Sequence, residues 1–370
     1  MNGELKDLTM KRAIFNPTTQ PAMPEFIAMM AMMAALVAFS IDAMLPALPD
    51  IAQELTPDAI NRAQLVLGAF ILALGIGTIF AGPLSDRFGR RPVLISGVGI
   101  YLAGAFWATQ ADSLNALLAA RFLQGLGSSG PRVVTMAIAR DRYKGAEMAR
   151  IMSFVMIVFS LVPAFAPLIG QQLTLVFGWR AVFGAFMVFS ILMATWFSQR
   201  QPETLAVKDR RPMKAATILA AIREVFTHPT SRLSIFVMTL ASAMLFSVLT
   251  SVQQVFDITY GRGASFPFYF GGIAILATSS GFLNARLVER LGMRAMVRAI
   301  LAVQVVLSSL MILTTFVFAN QTLAFVFYLI WTFSMFFQAG MTFGNLNALA
   351  LEPMGHIAGL AASVVTSVAT

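Results

Sequence analysis

Apolar stretches of roughly twenty residues alternate along the chain with short polar connections. That length carries a helix across about 30 Å of hydrocarbon at 1.5 Å per residue. The pattern predicts helices over 26–48, 63–81, 93–109, 115–139, 148–176, 181–197, 233–256, 266–283, 296–318 and 322–343. An eleventh begins near Met354 and is still running at Thr370. The segment 1–25 is mostly polar and carries Lys6, Lys11 and Arg12; the apolar run after it is too long for a signal-peptide core, and no small-residue cleavage site follows.

The longest polar connection, 199–232, follows the sixth run and reads as a linker between two halves. A local repeat supports the division. Asp86-Arg87-Phe88-Gly89-Arg90-Arg91 follows the second run, and Glu289-Arg290-Leu291-Gly292-Met293-Arg294 follows the eighth, each position offset by 203 residues. Parallel six-helix repeats with a solute site at their interface are an established transporter architecture. The expected organisation is an N-terminal segment 1–25, a six-helix bundle 26–198, a linker 199–232 and a second bundle 233–370. The same offset carries the fifth and sixth runs to about 351–379 and 384–400, so about eleven of twelve helices are present and the second bundle is expected to be incomplete.

Composition agrees with this reading. Apolar residues make up 58% and charged residues 12%, against about 25% charged in a soluble domain. The expected class is an all-α integral membrane protein. Cysteine is absent and only His228 and His356 represent histidine, which removes disulfides, thiolate metal sites and cysteine nucleophiles. No paired histidines, phosphate-cradling Gly-Lys-Ser/Thr loop or soluble nucleotide domain is present, so neither an enzyme, a metal nor a cofactor is expected.

The net charge of +9 is topological rather than a nucleic-acid footprint. With the N-terminus in the cytoplasm, 21 of the 26 Lys and Arg residues fall on the cytoplasmic side. Three (Arg62, Arg180, Arg262) fall outside and two lie within the fourth run. This is a strong positive-inside asymmetry, with anionic lipid headgroups as the natural neighbours.

Gly82-Pro83-Leu84-Ser85-Asp86-Arg87-Phe88-Gly89-Arg90-Arg91 resembles the signature loop of the major facilitator superfamily, with every position filled. Arg121-Phe122-Leu123-Gln124-Gly125-Leu126-Gly127 is similar to the family's second motif, and Pro163, Pro167 and Gly170 look like a weakened antiporter motif. Two stretches, 40–49 and 351–359, resemble the Bcr/CflA type of drug:proton antiporter. The resemblance covers essentially the whole chain. It implies two six-helix bundles, alternating access and export of small drug-like molecules in exchange for protons across a bacterial inner membrane. The partners expected are a small-molecule solute, protons and lipids, with no nucleic acid, for a monomer. A proton-coupled uptake symporter and a transport-dead paralogue are the alternatives.

Asp42 is the only one of the 17 acids well inside an apolar run. An intramembrane carboxylate is penalised by about 2.5–3.5 kcal/mol and usually has a task. Counting inward along straight helices places Asp42 and Arg121 at the same depth, so a pair is geometrically allowed. Asp42 is read as the proton site with Arg121 tuning it, against a structural pair joining the first and fourth helices. In the signature loop, Gly82 and Gly89 allow close approach or positive φ. Asp86 can pair with Arg90 or cap a helix, and Arg87 and Arg91 can reach a carboxylate or lipid phosphates. Such a latch would hold the halves together on the cytoplasmic side; a plain topological anchor is the bland reading.

Arg132, eleven residues beyond Arg121, returns to nearly the same helix face. Snorkelling to the cytoplasmic surface is favoured there over binding an anionic solute group. The methionines of the first run (Met29, Met30, Met32, Met33) and Phe333, Phe336, Phe337 and Phe343 of the tenth suit promiscuous binding, but ordinary packing or lipid contact explains most of them. Gln253, Gln254, Gln338 and Asn345 are the polar pocket candidates, and both histidines are read as bystanders.

Overall fold

The structure, a computed structural model, describes residues 17, 20–210, 213, 215–317 and 321–370. Most of the segment 1–25, three residues of the linker and residue 318 at the end of the ninth run lie outside the described residues. Among the described residues the regular structure is entirely helical. In chain order the helices are α1 (Met23–Asp42), α2 (Leu48–Leu55), α3 (Leu65–Phe88), α4 (Arg90–Thr109), α5 (Leu114–Arg142), α6 (Gly145–Phe177) and α7 (Arg180–Arg200). They continue with α8 (Ala215–Thr227), α9 (Pro229–Gln254), α10 (Phe266–Ala277), α11 (Ser279–Leu291), α12 (Met293–Val317), α13 (Gln321–Leu351) and α14 (Ala358–Val368).

Among the described residues nine helical stretches are long and apolar enough to cross a bilayer. The expected eleven also counted α5, the most polar of the long helices, and the short α14. Large apolar side chains such as Leu72, Phe106, Leu175, Phe177, Phe282 and Val305 remain uncovered. Such a surface suits lipid tails, while each helix satisfies its own backbone.

Four boundaries depart from the apolar pattern, each for a local reason. The first run is not one helix to residue 48. Helix α1 ends at Asp42, a 3₁₀ turn covers Leu45–Ala47, and α2 starts at Leu48. Pro46 and Pro49 occupy the first turns of those two new elements, where a missing N–H is tolerated. The depth of Asp42 counted along a straight helix therefore does not apply.

The seventh run starts earlier, at Pro229, and its helix ends at Gln254 in a π-helical turn over Val255–Thr259. The eighth run breaks at Thr278. There the hydroxyls of Thr278, Ser279 and Ser280 donate back to the carbonyls of Ile275, Leu276 and Ala277 at 2.6 Å, a competition that bends helices. Finally, the linker contains a helix: α8 buries Ala221 and Val225 and exposes Leu219 and Arg223.

The helices pack as two compact units. The first comprises residues 1–41, 65–159 and 177–217; its described part holds α1, α3, α4, α5, α7 and the first part of α6. Helix α5 is its centre and approaches its neighbours at backbone distance. A Cβ on Gly125 would collide with the Phe70 carbonyl of α3, and one on Gly127 with the Tyr101 amide of α4. Small residues serve this purpose where helices cannot rely on the hydrophobic effect to associate. Tyr101 shares a 2.6 Å hydrogen bond with the Ser40 hydroxyl of α1. Met29, Met30 and Met33 are fully buried in packing.

The second unit comprises 42–64, 160–176 and 218–370. Its core gathers Val225 of α8, Ile235 and Met238 of α9, Val297 of α12, Leu346 and Ala350 of α13, and Ala361, Val364 and Val365 of α14. The Ser231 hydroxyl donates to the Ala350 carbonyl at 2.8 Å. An aromatic cluster joins Phe256, Phe266, Tyr269, Phe325 and Tyr328.

The sequence repeat survives as backbone geometry. Gly89 and Gly292 both take positive φ, 105° and 77°. Each closes the preceding helix through the same i to i−4 bond, to Ser85 at 3.1 Å and to Val288 at 2.8 Å. A side chain at φ > 0 is strained, which is why glycine stands at both positions.

Gly125→Ala is expected to destabilise the protein by about 1–3 kcal/mol through overpacking. Gly68 of α3 has open space where a Cβ would stand, so Gly68→Ala is expected to leave the melting temperature unchanged or slightly raised. Thermal unfolding of the two detergent-solubilised variants measures the contrast.

Candidate functional site

Arg121 is completely buried on α5. Its Nη2 donates to the Ser40 carbonyl of α1 at 3.0 Å, its Nη1 to Gln124 Oε1 at 2.6 Å and its Nε to the Val66 carbonyl of α3 at 3.3 Å. The guanidinium also lies over the ring of Phe70 at 4.3 Å and near that of Phe183 at 5.8 Å. Backbone carbonyls, an amide and ring faces thus share the charge. Among the described residues no carboxylate is one of its partners. Its bond to α1 goes to the backbone, at the Ser40 carbonyl. Gln124 spends its oxygen on Arg121, and its Nε2 is buried with no partner.

Asp42 is the last residue of α1 and is 5% exposed. Among the described residues it has neither a hydrogen bond nor an ion pair. The next carbonyl, of Ala43, lies so close to Gly170 of α6 that a Cβ there would collide with it. Pro163 and Pro167 stand within the same helix, each deleting one ladder hydrogen bond four residues back. A Cβ on Gly271 of α10 would meet the Ala164 carbonyl at 2.7 Å. The three motif residues of α6 therefore lie on one short stretch packed at backbone distance against residue 43 and α10.

The signature loop is a network within the first unit. Gly82 accepts from the Ser85 hydroxyl at 2.9 Å within α3. Arg90 Nη1 donates to Asp86 at 2.5 Å and to Ser85 Oγ at 2.8 Å, and its Nε donates to Asp141, at the end of α5, at 3.0 Å. Thr204 holds the same Asp141 oxygen at 2.8 Å. Arg91 reaches the carbonyls of Ser198 and Gln201 at the end of α7, at 2.5 and 2.9 Å, where the helix dipole favours a cation. Arg87 stays exposed over the Phe88 ring.

Asp86 could have capped the following helix, but Glu203 does so instead. Its two oxygens accept from the backbone N–H groups of Arg90 and Arg91 at 2.9 and 3.0 Å, at the start of α4. Neither Glu203 nor the Arg90–Asp141 pair is signalled by spacing. Glu203 is one acid in a polar linker, and Asp141 lies 51 residues from its partner. In the repeat, Met293 stands where Arg90 does, so the second loop has no counterpart of the Asp86–Arg90 pair.

Of the pocket candidates, Gln253 and Gln254 line a cavity of ≈ 240 Å³ in the second unit, together with residues of α2, Pro57, Ile60, Gln64, Thr250 and Asp257. An amide chain spans its rim. Gln64 Nε2 donates to Gln254 Oε1 at 2.6 Å, and Gln254 Nε2 donates to Asn61 at 2.8 Å. Gln338 and Asn345 do not reach this cavity. Both are buried on α13, Gln338 donating to Thr342 at 2.8 Å and Asn345 to Asn284 at 2.7 Å. The Gln338 oxygen has no partner. Asn61, in the connection before the second run, and Gln64, at the start of that run, were not among the sequence-based candidates.

The family model described as Major Facilitator Superfamily matches residues 30–370. The bicyclomycin resistance protein homolog of Haemophilus influenzae is 28% identical over 349 residues, covering 93% of this chain and 85% of its own. The chloramphenicol resistance protein of Pseudomonas aeruginosa is 35% identical over 171 residues, 46% of this chain and 40% of its own. Among solved structures, the D-xylose-proton symporter superposes with a TM-score of 0.65 at 14% identity, over 93% of this chain and 88% of the other. That likeness speaks for the fold alone.

Glu203→Ala removes the cap of α4 and is expected to cost about 0.5–2 kcal/mol. Hydrogen exchange should show faster exchange at the Arg90 and Arg91 amides. Lys208→Ala, an exposed change in the same segment, should leave those amides protected.

Proposed function

The chain belongs to the major facilitator superfamily, and we propose that it exports small, drug-like solutes from a bacterial cell in exchange for protons. The superfamily is one of multi-pass membrane transporters, and the driving force in this proposal is an ion gradient. The relatives named for resistance to bicyclomycin and chloramphenicol support the drug-like class of solute.

The observation that carries proton coupling is Asp42, a buried carboxylate with no partner where the first membrane helix is interrupted. A buried anion that the protein does not neutralise has to be neutralised by something else. A proton or a cationic part of the solute satisfies that need, and competition between them is the simplest coupling of export to proton entry. Arg121 acts at one remove, since it holds the Ser40 carbonyl and thereby the end of α1. Pro163, Pro167 and Gly170 supply a weakened helix ladder and a close contact beside residue 43. Gln253, Gln254 and the unpaired oxygen of Gln338 are the proposed polar contacts for solute, and Asn345 orients Asn284. The Gly82–Arg91 loop, braced by Asp141 and Glu203, serves as the cytoplasmic gating element.

We place the protein in the cytoplasmic membrane with its N-terminus inside, from the distribution of Lys and Arg, and take the monomer as its working unit.

The export reading is tested by dye accumulation in a pump-deficient bacterium, with and without a protonophore. Expression should lower ethidium accumulation, and collapse of the proton gradient should restore it. Asp42→Asn is expected to reach the membrane in normal amount and to abolish the gradient-dependent difference. Full exclusion by that variant would overturn the assignment of Asp42. Solute uptake driven by the same gradient would point to symport.

Orientation is directly testable because the chain contains no cysteine. A membrane-impermeant maleimide should label Asp112→Cys in intact cells, but Lys208→Cys only after permeabilisation. The reverse pattern would place the N-terminus outside.

A further inference from the structure

Arg132 stands near the middle of α5, with ten residues of helix, about 15 Å, still to follow. It is half-buried, and among the described residues it has no hydrogen bond, ion pair or ring contact. Every other polar group near it on the helix is placed differently. Projected at 100° per residue, Gln124, Thr135, Ser128, Arg121 and Arg132 fall within about 80° of arc. The first four are 0%, 4%, 0% and 0% exposed.

The half-exposed apolar side of α5, formed by Phe122, Leu123, Leu126, Val133, Met136 and Ala137, is centred about 110° from Arg132 and begins about 40° from it. Arg132 thus stands at the edge of the buried polar stripe, itself half-exposed, between that stripe and the apolar side. Snorkelling to headgroups fits a cation on the outer side of a helix, which is not where this one lies. On the same stripe, the Gln124 Nε2 is a second donor without an acceptor. A guanidinium within the bilayer calls for hydrogen-bond acceptors, and no side chain of the described residues offers them.

We infer that Arg132 is a solute-binding residue, and that the exporter accepts molecules bearing an anionic, acceptor-rich group such as a carboxylate, sulfonate or phosphate. The guanidinium fork matches such planar or multi-oxygen anions bidentately. This inference rests on the export reading above and assigns a solute class to it.

The test compares two probes in pump-deficient cells expressing the full chain: carboxyfluorescein, an anion, and ethidium, a cation. Arg132→Gln is expected to reduce carboxyfluorescein efflux at least tenfold, mainly through KM, while leaving ethidium efflux within twofold of the parent. Arg132→Lys should lie between them, because it keeps the charge and loses the fork. It also decides the matter if the glutamine variant does not reach the membrane.

Equal loss of both probes, or unchanged carboxyfluorescein efflux, overturns the inference. A parent chain that exports ethidium but not carboxyfluorescein overturns it alone; one that exports neither overturns the export reading with it. The same anionic chemistry exists in lipid headgroups. The variants are therefore repeated in proteoliposomes of phosphatidylcholine and of phosphatidylglycerol. A defect present in both supports solute binding, and one confined to the anionic lipid overturns it.

Discussion

A guanidinium placed inside hydrocarbon must receive its hydrogen bonds from protein, and much of the first unit is arranged around that demand. Arg121 draws a carbonyl from α1, a carbonyl from α3 and an amide from its own helix, with ring faces of α3 and α7 closing the remaining sides. Supplying those groups brings four helices to one point. Gly125 of α5 serves the same demand, because it lets α3 approach at backbone distance while the Val66 carbonyl reaches Arg121.

Against that saturation, two charged groups are left unserved. Among the described residues, Asp42 and Arg132 are held within the membrane part of the fold without partners, while Arg121 nearby is bonded several times over. A chain that completes the coordination of Arg121 has the means to complete others. On the proposals above, the incomplete groups are the places for species that come and go.

Much of this was legible along the chain. The apolar runs located the membrane helices, because a continuous apolar run in lipid satisfies its own backbone only as a helix. The repeat of acid, Arg and Gly at a fixed offset marked two loops that share one backbone turn at Gly89 and Gly292. The break after Asp42 was visible in principle, in Pro46 and Pro49, yet apolarity continues through it and conceals the change. The break at Thr278 depends on three hydroxyls turning back onto their own helix, which polarity alone does not reveal. Least legible was the partnership of the signature loop. Asp86 and Arg90 are close in sequence, but Asp141 and Glu203 come from helices and connections far along the chain, and only the fold brings them there.

The capping of α4 by Glu203 changes the meaning of the connection that follows α7. By polarity this stretch looks like a spacer, the kind of place where a tag, a protease site or a foreign domain is inserted without harm. Its first residues are instead part of the helical unit. Gln201 receives Arg91 and Arg142, Glu203 closes the helix start, and Thr204 holds Asp141. The spacer proper begins only beyond Leu205, at the exposed turn Val207–Asp209. A gene fusion joined there keeps the fastening intact, whereas one joined three or four residues earlier opens the end of the bundle it was meant to leave alone.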